Sequence, residues 1–245
     1  MATEDTTTAM SPMIAHVVGL KFVPGMSEED IAHHFETEVA LHERMPELVP
    51  SRAHWRYSKN QSGPLFDNDR GAALNNGCEY VVVVWLQGRD AMLKYEAHPK
   101  HQELMALQAA KLTADMMVLD PVVSVPEWPP RPGAVMHVVG LRFVDGLSHA
   151  EIERHFEVDV ALDKRMPELI PSRNHWCWCQ NQSGPLFHED CGAGLNHGSE
   201  YVVVAWLTGR EAMLQYGPHP KHQELMALQA ERFLASDGKC VLDAG

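Results

Sequence analysis

The hydrophobic and polar positions of this chain follow one pattern that is written twice. From Ile14 to Val23 the residues are mostly β-branched, aromatic or aliphatic, which predicts a strand. Ser27 then precedes an acidic first turn and an apolar stripe of Ile31, Phe35, Val39 and Met45, so a helix is predicted with Ser27 as its N-cap. Pro50 follows this helix. Arg52 to Asn60 predicts a second strand. Glu79 to Leu86 predicts a third, whose centre (Tyr-Val-Val-Val-Val-Trp) has no polar alternate. A strand that is apolar on both sides must be covered on both faces. A short helix from about Arg89 to Tyr95, a longer one from Pro99 to about Lys111 and a last strand from Met116 to Leu119 complete a βαββαβ order.

The second writing starts at His137-Val-Val-Gly-Leu141, which matches His16-Val-Val-Gly-Leu20. Tyr216 matches Tyr95, again at an offset of 121 residues and without insertion, and about two-thirds of positions are identical. This is a duplicated domain rather than a solenoid unit. Ser148 with Glu151 makes a capping box in the second copy. The proline-rich stretch between the copies, at ~3.1 Å per residue, spans roughly 40 Å, enough to lay one copy against the other. The predicted organisation is a disordered tail (1–13), a first domain (14–120), a linker (121–134) and a second domain (135–245). Two helices cover only one face of each four-stranded sheet, and the remaining apolar face needs a partner. The fold class predicted is therefore α+β: two ferredoxin-like βαββαβ repeats closing into one intramolecular, pseudo-dimeric α+β barrel.

Charge narrows the partners. The formal net charge is −13 and no basic patch is present, which argues against nucleic acid and anionic membrane surfaces. No apolar run approaches the ~20 residues of a membrane span, and the N-terminus lacks the basic and apolar regions of a secretory signal. The five cysteines (Cys78, Cys177, Cys179, Cys191 and Cys240) are odd in number and not shared between copies. This reads as reduced thiols in a cytoplasmic protein, and Cys177-x-Cys179 alone is a weak metal or redox signal. P-loop, GxGxxG, GxSxG and zinc-ribbon spacings are absent, so nucleotide-dependent chemistry and serine hydrolysis lack support, and no cofactor is predicted.

The chemistry concentrates in a stretch that opens a helix in each copy, Tyr95-Glu-Ala-His-Pro-Lys-His101 and Tyr216-Gly-Pro-His-Pro-Lys-His222. His98 precedes a proline that favours the first helical turn, so it reads as a cap and hinge. His101 lies near the positive end of the helix dipole, which favours the neutral ring. A neutral imidazole beside an apolar cavity is a competent general base; the plain alternative is a hydrogen-bonded core histidine. His16 shares a strand face with Val18 and Leu20, where a histidine is either structural or cavity-lining. His54 and His175 neighbour Trp55 and Trp176 and read as packing or pocket lining. A metal site from His16, His98 and His101 is conceivable, though no familiar ligand spacing supports it.

The opening strand "AHVVGLKF", the Phe35 helix, Trp55 after a proline break, the buried third strand and "HPKHQEL" together resemble the stress-responsive dimeric α+β barrel (Dabb) family, over nearly all of both copies. That family includes olivetolic acid cyclase-like plant polyketide cyclases and heat-stable stress proteins, and most members pair two chains. The resemblance implies a Tyr/His catalytic pair at Tyr95 and His101, and at Tyr216 and His222. It implies a further cavity histidine at His16 and His137, and a cavity position on the third strand that is tyrosine here, Tyr80 and Tyr201. It points to a cofactor-independent cyclase or lyase acting on a keto substrate in the barrel cavity. A small apolar or keto-containing ligand is the partner, and further homo-oligomerisation is open. The alternatives are a non-catalytic stress or ligand-binding barrel and a haem- or metal-binding barrel. The long polar segment from Asn60 to Gly77 exceeds the family's usual length and is predicted to fold over a barrel mouth. Glu96-Ala97 against Gly217-Pro218 predicts unequal pockets, the second more apolar and more rigid.

Overall fold

The computed structural model describes residues 12–66, 74–187 and 194–245. Most of the predicted tail and Cys191 lie outside the described residues. The first half runs β1 (Met13–Leu20), α1 (Glu28–His33), α2 (Leu41–Arg44), β2 (Trp55–Lys59), β3 (Tyr80–Leu86), α3 (Gly88–Glu96), α4 (Pro99–Ala109), β4 (Met117–Leu119) and β5 (Val122–Val123). The second half repeats this order as β6 (Val135–Phe143), α5 (His149–Arg154), α6 (Leu162–Arg165), β7 (Trp176–Gln180), β8 (Tyr201–Leu207), α7 (Arg210–Tyr216), α8 (Pro220–Arg232) and β9 (Leu234–Ala244). All pairings are antiparallel, in the orders β2-β3-β1-β4 and β7-β8-β6-β9. Val122 and Val123, at the start of the stretch read as linker, pair with Ile14 and Met13. Among the described residues no helix is long and apolar enough to cross a membrane.

Local chemistry explains where the elements depart from the sequence pattern. Ser27 and Ser148 both form complete capping boxes, with Asp30 and Glu151 as reciprocal partners. The predicted single helix through Ile31, Phe35 and Val39 instead passes through a π-helical turn, His34–Glu38. There the Thr37 hydroxyl donates to the His33 carbonyl and the Val39 amide reaches back to His34. The added residue resets the phase and keeps Phe35, Val39 and Leu41 all buried. Arg52–His54 is a 3₁₀ turn rather than strand, fixed by a Ser51–His54 side-chain hydrogen bond of 2.9 Å.

Three cores result. In each half, helices cover one sheet face around Phe35, Trp55 and Leu104, or Phe156, Trp176 and Leu225. The third core lies between the sheets, where Val17, Val81 and Val83 meet Val138, Val202 and Val204, all fully buried. Each such valine contributes ~1.5–3 kcal/mol. Exposing three in a separated half, together with Trp85 or Trp206, would cost on the order of the whole stability of a domain. Side chains from both halves crowd the backbone at Gly19 and Gly140. A Cβ on Gly19 would sit 2.6 Å from Leu242, and one on Gly140 would sit 2.6 Å from Cys240 and 2.8 Å from Leu119. Across the seams, Gln61 donates to the Asp243 carbonyl and Gln182 to the Asp120 carbonyl, while Val118 donates to Leu195 and Val241 to Leu74.

Candidate functional site

Valines and tryptophans fill the space between the sheets, and the candidate Tyr and His residues lie on the opposite sheet faces, beneath the helices. This corrects the expectation of a site in the barrel interior. A cavity of about 260 Å³ is enclosed by β1, β3, α3 and α4, with His16, Val82, Tyr95, Glu96, His101 and Asp120 on its wall. Its counterpart in the second half, about 210 Å³, is walled by His137, Tyr216, His222, Met226, Lys239 and Asp243.

The helix start positions the pair. Pro99 occupies the first turn of α4, and the His98 side chain caps it by accepting from the Lys100 amide at 3.1 Å. His98 Nε2 also lies 2.9 Å from Glu47 and is turned away from the cavity wall. One turn on, His101 is buried, and its Nδ1–H donates to the Glu96 carbonyl at 3.2 Å. That bond fixes the tautomer and leaves Nε2 with the lone pair. Burial, reinforced by the nearby His16 charge, lowers the His101 pKa to about 4. His222 repeats this with the Gly217 carbonyl at 3.1 Å, and burial and Lys239 bring it to about 4 as well. The Tyr95 ring lies 4.4 Å from His101 and the Tyr216 ring 4.3 Å from His222. Burial pushes both phenols upward, so they remain hydrogen-bond donors.

The third member comes from the first strand of each half. His16 packs edge-on against Tyr95 at 5.3 Å, and its Nδ1–H donates to the buried Asp120 carboxylate at 2.7 Å. Burial alone would lower the His16 pKa, but Asp120, with Glu96 at 3.7 Å, outweighs it and holds the pKa up at about 9. Burial raises the pKa of Glu96 itself. In the second half, His137 donates to Asp243 at 2.6 Å and packs 5.1 Å from Tyr216. Each carboxylate is held by the other half of the molecule. Ser183 donates to Asp120 and Asn181 accepts from the Asp120 amide; Ser62 donates to Asp243 and Asn60 accepts from the Asp243 amide. The long polar segments thus cross the seams, and Leu74 and Leu195 line the cavity of the opposite half. Residues 67–73 of the first segment lie outside the described residues.

The remaining sequence-derived positions sit elsewhere. Tyr80 packs against Phe22 and Phe35, and Tyr201 against Phe143, with its hydroxyl 3.1 Å from His149; Val82 stands at the first cavity in the place foreseen for a third-strand polar residue. Trp55 and Trp176 are core residues, donating to His42 and Asp163 at 2.7 Å. His54 lies against Trp128, and His175 against a separate groove beside Trp206. Among the described residues no group of three or more His, Cys, Asp or Glu is placed to hold a metal ion. Sequence reasoning missed Asp120 and Asp243, Ser62 and Ser183, and Glu96 and Lys239. The repeated Val-Leu-Asp at the end of β4 and within β9, and the repeated Asn-Gln-Ser, were the signals that mark the first four.

A search of curated proteins gave no match. Among solved structures, a candidate chlorite dismutase is similar across 95% of this chain and 94% of its own, at 10% identity and a TM-score of 0.53. A candidate monooxygenase from Lactobacillus acidophilus is similar over 96% of this chain and 93% of its own, at 12% identity and a TM-score of 0.47. A hydroxynitrile lyase from Passiflora edulis aligns with 46% of this chain and 93% of its own, at 20% identity and a TM-score of 0.36. The profile of the stress responsive A/B barrel domain matches residues 14–123. Residues 14–123 thus form a stress responsive A/B barrel (Dabb) domain.

Proposed function

We propose that the protein is a cofactor-independent acid–base enzyme of the cyclase or lyase type, acting on a keto compound in the cavities beneath its helices. The observation that carries this reading is the meeting, in one cavity, of three groups in complementary states. A neutral imidazole has its lone pair at Nε2, a tyrosine hydroxyl has no hydrogen-bond partner among the described residues, and a second histidine is tied to a buried carboxylate. His101 takes a proton from carbon, and Tyr95 donates to the oxygen on which the enolate charge develops. The charged His16 adds a positive field beside that oxygen. His222 and Tyr216 have the same roles in the second half, where His137 is tied to Asp243.

The pKa of the base narrows the substrate. An imidazole near 4 is fully in its base form at neutral pH but is a weak base. It suits a proton already made acidic by two flanking carbonyls, as in a polyketide-like 1,3-diketone. The enolate then closes on a second carbonyl in an aldol step, or the reverse step cleaves a carbon–carbon bond. The test is incubation with a linear 3,5,7-trioxo acid and detection of the cyclised product. Formation faster than in buffer, and lost in Tyr95→Phe/Tyr216→Phe, supports the reading. Rates equal to buffer across a series of chain lengths would overturn it.

A further inference from the structure

The two cavities share their Tyr, His and Asp groups but differ in charge. Where the first has Glu96, the second has Gly217, which removes a carboxylate. The strand registers (Gly19 with Met117, Gly140 with Cys240) place Met116 of the first half where the second half has Lys239, which adds an ammonium. Lys239 is half-buried on β9, between Leu141 of β6 and Met226 of α8, and its Nζ is directed at the Met226 thioether. A sulfur is a weak acceptor for an ammonium group. No carboxylate among the described residues pairs with Lys239, whereas the half-buried Lys21 and Lys111 lie against Asp115 and Glu38.

A cation withdrawn from water without a counter-charge is costly, and the neighbourhood registers that cost. Burial lowers the Lys239 pKa to about 8, and its charge helps depress His222. The wall also carries the apolar side chains Leu74, Met213, Leu214 and Val241, while its polar Gln223 and Ser62 donate to the Gly217 carbonyl and to Asp243. The other ionisable groups facing this space are His137 on β6, Tyr216 on α7, His222 on α8 and Asp243 on β9, the last already committed to His137 and Ser62. An anion with an apolar body would supply the missing counter-charge and fill the wall.

We infer that the second cavity is a binding site for a small apolar carboxylate, with Lys239 as its charge partner, whereas the first cavity disfavours the same ligand because Glu96 lies in it. This concerns binding and does not depend on the catalytic reading. Octanoate and the neutral octanamide serve as probes in calorimetric titrations at pH 7. Expected is one site per chain with octanoate bound at least about tenfold more tightly than octanamide. Lys239→Met, which copies Met116 of the first half, should erase that preference while leaving octanamide binding unchanged, and Lys239→Arg should retain it. Equal affinities for the two probes in the unaltered protein, or a preference that survives Lys239→Met, would overturn the inference. Should Lys239→Met fail to fold, the unaltered protein and Lys239→Arg still decide it.

Discussion

His101 and His222 each make one backbone hydrogen bond through Nδ1, and the proposed chemistry uses the other nitrogen. Glutamine keeps size and a donor at these positions and removes the base. His101→Gln with His222→Gln should therefore lower turnover by about 10²–10⁴-fold with little change in melting temperature. Tyr95→Phe with Tyr216→Phe should cost at most roughly 3–4 kcal/mol of transition-state stabilisation, read from kcat/KM. His98→Ala should do the opposite, losing about 1 kcal/mol of stability with its cap and leaving turnover intact. Much of this was legible in the sequence, because Tyr95, His98 and His101 belong to one helix start, where proline and the dipole dictate local geometry. Asp120 was not. It reaches His16 across 104 residues, and nothing in a local pattern announces a partner brought by sheet register. Tyr80, put at the cavity by the resemblance, packs against Phe22 and Phe35, and Val82 and Val84 of the same strand line the cavity.

At the scale of the elements, the close approach of the two sheets makes its own prediction. Gly19 and Gly140 each face side chains of the opposite sheet at distances no Cβ tolerates. Gly140→Ala should cost about 1–3 kcal/mol by overpacking, measured as a drop in the urea midpoint. The same substitution at Gly217, where a Cβ meets nothing within 4 Å, should be nearly silent on packing grounds. An unchanged midpoint for Gly140→Ala would mean that Ser199, Cys240 and Leu119 yield to the added methyl group at little cost. The element order was readable from hydrophobic period alone, and so was the need for a second sheet, since β3 is apolar on both faces. The π-helical turn after α1 was hidden. A single added residue shifts the phase of an apolar stripe without removing any member of it, and the Thr37 hydroxyl that competes for the His33 carbonyl leaves no periodic trace.

At the scale of the molecule, the two halves depend on each other twice, through the valine core between the sheets and through the Asn-Gln-Ser segments that hold each other's carboxylates. Separately expressed residues 12–127 and 130–245 should therefore associate, with each other or with themselves. Monomeric, fully folded halves at micromolar concentration would contradict the packing. The buried histidines give stability a maximum near pH 6.5. Below it, the unfolded chain takes up protons at His101 and His222 that the folded chain refuses until about pH 4, so stability falls as pH drops through that window. Above it, folded His16 keeps a proton that the unfolded chain has released, so stability falls as pH rises toward 8, beyond which the early proton loss of buried Lys239 offsets this slope. Urea titrations across pH 4–9 should show both slopes, and His16→Gln should flatten the alkaline one. The central claim, that these cavities remove a proton from carbon, is tested most directly by solvent deuterium exchange, followed by NMR, at the carbon between the two carbonyls of an alkyl 1,3-diketone. The unaltered protein should accelerate exchange well above buffer, and His101→Gln/His222→Gln should return it to the buffer rate. Equal exchange with both proteins would contradict the account.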